Sequence, residues 1–367
     1  MSEDAARQGL DTYQWFQRAA LDGNPYAQFN LAQLYLRGAG VAPDDAQAAA
    51  WMARAAASGL AYAQNHLGAM YYNGRGVCRD DARAAHWFRC AALQGDCSAQ
   101  HNLGLLYRKG RGVPRSYRAA IGWFYRAAEQ GMARAQAQLA EGYLHGLGVA
   151  VSHPLAMAWF RKAAMQGHVA AQVQLARMYA RGKGVAPSPG QALYWFRHAA
   201  DAGAANAQFA LGLLYAKGQG VPRDPVQAAA WYLRAAQQGD ASAQNNLGAM
   251  YACGEGVPRD DLLAAHWYRR AARQDYAPAQ HNLGALYAAG RGVIKDPVRA
   301  CMWAWLARQG KGLENAAPAD VALAASTAAN DYTASLSPAE RSRARSLVER
   351  WLASRTSPRR QLGRTGA

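Results

Sequence analysis

The chain has 367 residues, 51% of them hydrophobic, and 41 basic against 24 acidic side chains, for a net charge of +17. That apolar content excludes a disordered chain, and the length exceeds what one globular core usually fills. The basic balance admits a polyanion as partner, but +6 of it sits in the last 32 residues, Leu336 to Ala367, which leaves +11 spread thinly over the other 335. Five cysteines in no regular framework fit a reducing compartment, although Cys90 and Cys97 stand close enough in sequence for a bridge to be conceivable. The acidic start, Met1-Ser2-Glu3-Asp4, is unlike a secretory signal, and no run of 18 apolar residues occurs. A soluble, cytoplasmic protein without membrane insertion is therefore expected.

In chain order, residues 1–23 carry Trp15 and Ala19-Ala20 and are expected to form one helix, a half-unit cap. From residue 24 to residue 311 a unit of 36 residues then recurs eight times without insertion. Ala27-Gln28 returns as Ala63-Gln64 and so on to Ala279-Gln280, and a tryptophan keeps the same interval from Trp15 and Trp51 to Trp303. Leu31 and Tyr35 follow Gln28 at helical spacing, and all eight copies keep both, which predicts the buried stripe of a first helix, A. Gly38-Ala39-Gly40-Val41 closes that helix with a left-handed glycine, and the pattern returns down to Gly290-Arg291-Gly292-Val293. A phosphate loop would need a preceding strand and a third glycine, and both are missing.

Asp44, Asp80, Ser116, Ser152, Ser188, Asp224, Asp260 and Asp296 hold one position and read as caps of a second helix, B. Pro189, Pro225 and Pro297 follow directly, where a first helical turn tolerates proline. Helix B presents Ala48, Trp51 and Ala55 and ends on glycine from Gly23 and Gly59 through Gly239, but the seventh unit has Asp275 there. Gly142 stands where other copies have Leu or Met. These two departures mark the fourth and seventh units for weaker packing. Residues 312–353 are expected to form a helical cap whose last helix opens at Ser337-Pro338-Ala339-Glu340, and 354–367 a basic disordered tail.

The string Ala-Gln-x-x-Leu-Gly-x-x-Tyr, followed by Gly-x-Gly-Val, a cap residue and Trp-x-x-x-Ala-Ala-x-x-Gly, resembles the Sel-1-like repeat family. Ala243 to Gly256 matches it well, and the eight units cover 288 of the 367 residues, eight times 36. The resemblance implies an all-α fold: an α/α superhelical solenoid of helix–turn–helix repeats, related to tetratricopeptide arrays. It also implies a bacterial adaptor that assembles protein complexes. One cysteine-rich secreted branch of the family is associated with penicillin binding and carries a disulfide in each repeat, a pattern absent here. The segment from Met302-Trp303-Ala304-Trp305-Leu306 through Leu336-Ser337-Pro338 resembles the end module of many members.

Residues on the beat are explained by packing and capping, so a partner is expected on the remaining stripe of helix A, which lines the concave groove by analogy with tetratricopeptide arrays. Asn30, Asn102, Asn246 and Asn282 share one phase of that stripe, where an amide can bond the backbone of an extended peptide. His66, His101, His145 and His281 fall on it too, as does Gln138. Arg37, Arg108, Lys109, Arg134, Arg177, Arg181 and Lys217 face one acidic residue, Glu141, whereas the last two units offer alanines such as Ala249, Ala252, Ala285 and Ala288. A directional, partly acidic peptide is the expected ligand. Lys109 with Asn102 is similar to a carboxylate-clamping pair, though no adjacent unit repeats it.

Two alternatives compete. Nucleic acid is favoured by the sequence pI near 9.9, but the repeats contain no helix-turn-helix, zinc knuckle or stacking sheet. A penicillin-related hydrolase needs an activated nucleophile or metal-bound water, and no Ser-x-x-Lys, His-x-His-x-Asp or His-Glu-x-x-His is present. A non-enzymatic protein scaffold without cofactor, metal or small-molecule substrate is the resulting expectation.

Overall fold

A computed structural model describes residues 3–309, 327–328 and 330–356. The expected Ala-rich segment before Thr327 and the tail from residue 357 lie outside the described residues. Among those described, every regular element is a helix, and the fold is an all-α solenoid of consecutive helix pairs. The chain divides into two compact units, Met1–Pro187 and Ser188–Ala367.

In the first unit, α1 (Glu3–Leu21) packs on α2 (Pro25–Arg37). The pairs α2 with α3 (Asp45–Ala57), α4 (Ala61–Asn73) with α5 (Asp81–Leu93), α6 (Cys97–Lys109) with α7 (Tyr117–Glu129), and α8 (Ala133–His145) with α9 (His153–Met165) follow, and α10 (Val169–Arg181) packs on α9. Even-numbered helices up to α10 are the A helices. The second unit opens on a B helix, α11 (Pro189–Asp201), which packs on α12 (Ala205–Lys217). There α12 pairs with α13 (Pro225–Gln237), α14 (Ala241–Cys253) with α15 (Asp261–Ala272), and α16 (Ala277–Ala289) with α17 (Pro297–Gln309), while α18 (Pro338–Thr356) packs on α17.

The expected stop and start signals operate. Gly38 takes φ +67° and gives its N–H to Leu34 O, closing α2. Asp44 Oδ1 then accepts the N–H groups of Ala46 and Gln47 at 2.9 Å each, which starts α3. From Gly76 onward the second glycine of the loop has a different job: a Cβ on Gly76 would lie 1.8 Å from Asp45 O of the preceding B helix. Only hydrogen lets the loop approach that backbone.

Leu31, Leu67, Leu103, Leu139, Leu175, Leu211, Leu247 and Leu283 are fully buried, as the helix A stripe requires. Most of the periodic tryptophans are buried or nearly so, and basic residues three positions on cover several of them, as Arg54 does Trp51 at 4.3 Å. Trp15, on α1, is by contrast 64% exposed. Gly142 leaves no hole where the sequence suggested weak packing: Ile121 fills the space, its Cδ1 lying 2.2 Å from where a Cβ would stand. Asp275 takes φ +63°, a glycine-favouring conformation, and its carboxylate pairs with Arg355 of α18.

The glutamine of each Ala-Gln pair is buried, a role that sequence reasoning did not assign. Gln64 Nε2 donates to Ala56 O at 3.1 Å, and its Oε1 accepts from Gln94 Nε2 at 2.8 Å. Gln100 with Gln130, Gln136 with Gln166, Gln208 with Gln238 and Gln244 with Gln274 repeat this bond. The capping box of α18 forms as expected, Ser337 donating N–H and O–H to Glu340 Oε2 at 2.8 and 2.7 Å. That helix continues through Thr356, past Ser354 where the tail was expected to begin.

Candidate functional site

In the first unit the A helices carry Asn30 and Arg37 (α2), His66 (α4), His101, Asn102, Arg108 and Lys109 (α6), Arg134 and Gln138 (α8), and Arg177 and Arg181 (α10). Folding gathers the middle of this set. Arg108 donates to Gln138 Oε1 and lies 3.8 Å from Glu141, so it is already engaged within the protein. Lys109, Arg134, Arg177 and Arg181 are exposed and make no ion pair among the described residues. These four are the cations in the middle of the set left for a ligand, and Arg37 at the end of α2 is likewise exposed without an ion pair among the described residues.

His101 packs against Phe124 with ring centroids 5.8 Å apart. Burial, with Arg134 and Arg108 nearby, pushes its pKa down to about 4 against a hydrogen bond with Asn102, so at neutral pH the ring is uncharged. His168 accepts the Ala171 N–H at 3.2 Å and so caps α10. Its pKa is lowered by burial first and then by Arg134, with Glu141 opposing. Sequence reasoning missed His168 because it sits one residue before the helix, off the stripe. His66 stacks edge-on against Phe29 at 5.4 Å, and burial lowers its pKa.

Asn102 is not a free amide: its Nδ2 donates to Asn65 Oδ1 at 3.2 Å. Asn65 was also missed, and the signal was a spacing of 37 residues, one more than the repeat, which joins lateral neighbours on successive A helices. Phe29 and His66 hold the same pair of positions.

In the second unit, Asn282 donates to Asn245 at 3.0 Å, the same lateral pair, and Asn245 donates to Asn246 at 3.4 Å. Burial lowers the His281 pKa, and its Nδ1 is buried without a partner among the described residues. Lys217 is exposed at the end of α12. Among the described residues no group of three or more His, Cys, Asp or Glu could hold a metal ion, and no helix is long and apolar enough to cross a membrane. The five cysteines are free thiols.

Helix pairs at fixed interval, joined by left-handed glycine loops and amide bonds between units, define an α-helical repeat protein. The Sel1 repeat model matches residues 12–24, 25–60, 61–96, 97–132, 133–168, 169–203, 205–240, 241–276 and 277–307, and the chain belongs to the Sel1-repeat family. A Sel1 repeat protein from Oxalobacter formigenes is 34% identical, with a TM-score of 0.64 over 81% of this chain and 86% of that one. A protective antigen from uropathogenic Escherichia coli with an SLR fold is 33% identical, with a TM-score of 0.51 over 93% of this chain and 86% of that one. A comparison with curated proteins finds no match. Sel1-repeat solenoids are in general scaffolds for protein–protein interaction and typically not catalysts.

Proposed function

We propose that this protein is an interaction scaffold that holds an extended, acidic peptide segment of a partner along α6, α8 and α10. One observation carries this reading: Lys109, Arg134, Arg177 and Arg181 project from these A helices without ion-pair partners among the described residues, while the stripe's one carboxylate, Glu141, is paired with Arg108. Unpaired like charges on one face repel each other, and an anionic chain laid across them relieves the repulsion. Asn102 and Gln138 lie on the same stripe, but their amides already bond Asn65 and Arg108, so the cations carry the reading.

The test is binding of a labelled oligoglutamate peptide by the protein and by a Lys109→Glu, Arg134→Glu, Arg177→Glu variant, with thermal melts to confirm folding. A loss of tenfold or more in affinity, with unchanged melting, is expected. Equal affinity would overturn the reading. Tighter, steeply salt-dependent binding of an oligonucleotide to the same face would replace it with the nucleic-acid alternative.

A further inference from the structure

We infer that the peptide is anchored by one large apolar side chain inserted between α4, α5 and α6, so that the recognised signal is an apolar residue flanked by acids. This rests on the acidic-peptide reading and specifies it. A cavity of about 240 Å³ opens there, lined by Ala69, Tyr72, Phe88, Asn102, Leu105 and Leu106. It falls below the roughly 300–1,000 Å³ usual for small-molecule sites and suits a single side chain. Its lining contains no carboxylate, no cation and no nucleophile beyond the Tyr72 hydroxyl, so it offers burial rather than chemistry.

The walls are fixed before anything binds. Phe88 lies against Gly68, where a Cβ would come within 2.8 Å of the ring, so glycine lets the ring settle and leaves the cavity above it open. Tyr72 is held under the Arg111 guanidinium at 4.0 Å, and Arg111 is itself clamped by both oxygens of Asp81 at 2.9 and 2.7 Å. Asn102 at the lip is oriented by its bond to Asn65. A cavity that needs no rearrangement returns more of the burial energy as affinity.

The cation that selects an acidic neighbour is placed by helix geometry. Lys109 follows Leu105 by four residues on α6, one turn along the same face, and is exposed. A side chain seated against Leu105 therefore brings the adjoining stretch of its own chain to Lys109, with Arg134 on the next A helix. The cavity and the basic stripe together specify both the anchor and its flanks.

Three labelled nonapeptides test this on the full chain by fluorescence anisotropy: oligoglutamate with a central phenylalanine, the same with a central alanine, and a neutral Ser/Gly peptide with a central phenylalanine. Burying one aromatic ring predicts about tenfold tighter binding of the first than of the second. Ala69→Trp, which fills the cavity from its wall, should bring the first down to the second and leave the second unchanged. Tyr72→Ala, which removes a wall, should narrow the difference too, and melting curves confirm that both variants fold. Equal affinity for the two acidic peptides would overturn the anchor while leaving the acidic groove standing. Equal affinity for the acidic and neutral phenylalanine peptides would keep the anchor and overturn the acidic reading. No binding of any of the three would overturn both.

Discussion

The region around α4–α6 and the region around α14–α16 are two castings of one mould, five periods of 36 residues apart. Asn65–Asn102 answers to Asn245–Asn282, Gln64–Gln94 to Gln244–Gln274, and the two-pronged Arg111–Asp81 pair to Arg291–Asp261. The surface in and beside the cavity matches only in part: Ala69, Asn102 and Leu106 return as Ala249, Asn282 and Leu286, but the larger and charged positions do not. Tyr72 becomes Ala252, Leu105 becomes Ala285, and Arg108-Lys109 becomes Ala288-Ala289. Where Tyr72 stacks under Arg111, the Ala252 carbonyl accepts from Arg291 at 2.9 Å instead. The frame is held constant while Tyr72, Leu105, Arg108 and Lys109 give way to alanine, so under the proposed function the two regions differ at those positions.

The most damaging way to probe that comparison is through the frame itself. Gly112 and Gly292 take φ +66° and +62°, and a Cβ on either would lie 1.9 Å from the carbonyl oxygen of Asp81 or Asp261. Alanine at either position adds left-handed strain and forces the loop off the preceding B helix, so a loss of about 3 kcal/mol or more is expected at both. Urea unfolding, with hydrogen exchange to localise the loosened units, checks it. Unequal losses would show that the two frames are not equivalent after all.

Histidine separates the regions in the opposite sense. His101 and His281 hold the same position, but His101 faces Arg134 and Arg108 as well as burial, whereas burial alone lowers His281. Both have folded pKa values below the ordinary 6.5. As pH falls below 6.5 the unfolded chain takes up the proton first, so stability present at neutral pH is lost progressively, down to about pH 4 for His101. The His101 share is at most about 3 kcal/mol. Melting between pH 7 and pH 4.5 should show His101→Gln removing more of the acid sensitivity than His281→Gln. The reverse order would mean that the cations near His101 do not act on it.

What the sequence showed and hid follows from the range of each interaction. Helix ends are set by neighbours within four residues, so Gly38, Asp44 and the Ser337–Glu340 box were legible in a single copy. The second glycine reads as another turn residue until the backbone it touches, 31 residues earlier in the case of Gly76 and Asp45, is known. Gln64 stands on the repeat's beat, yet nothing in its own helix shows that Gln94 will meet it. Arg108 and Lys109 are adjacent and look alike in sequence, yet Gln138 and Glu141 on the next A helix take up the first and leave the second. Arg75, Arg111 and Arg291 did leave a trace: each is matched by an acid 30 residues earlier, Asp45, Asp81 and Asp261, while Leu147, Lys183, Gln219 and Glu255 have none there.

The smallest expected effect concerns the amide ladder that both regions share. Gln28, Gln172 and Gln280 keep the buried donor bond but have an Oε1 without a partner among the described residues. The residue 30 places further on is Ser58, Ala202 or Gly310, none of which carries an amide. A buried acceptor left empty costs about 1–3 kcal/mol, so these are flaws in an otherwise regular frame. Ser58→Gln restores the intact arrangement, because Ser58 ends α3 as Gln94 ends α5. The substitution gives up the Ser58 hydroxyl bond to Arg54 O at 3.1 Å, but Gln94 keeps a contact of this kind with Cys90 O at 3.5 Å while also reaching Gln64. A net gain of about 1 kcal/mol is therefore expected, read as a higher urea midpoint with unchanged slope, and Gln94→Ser should lose a similar amount. If neither variant moves the midpoint, water serves these amides as well as their partners do, and the ladder marks the register of the units without adding to their stability.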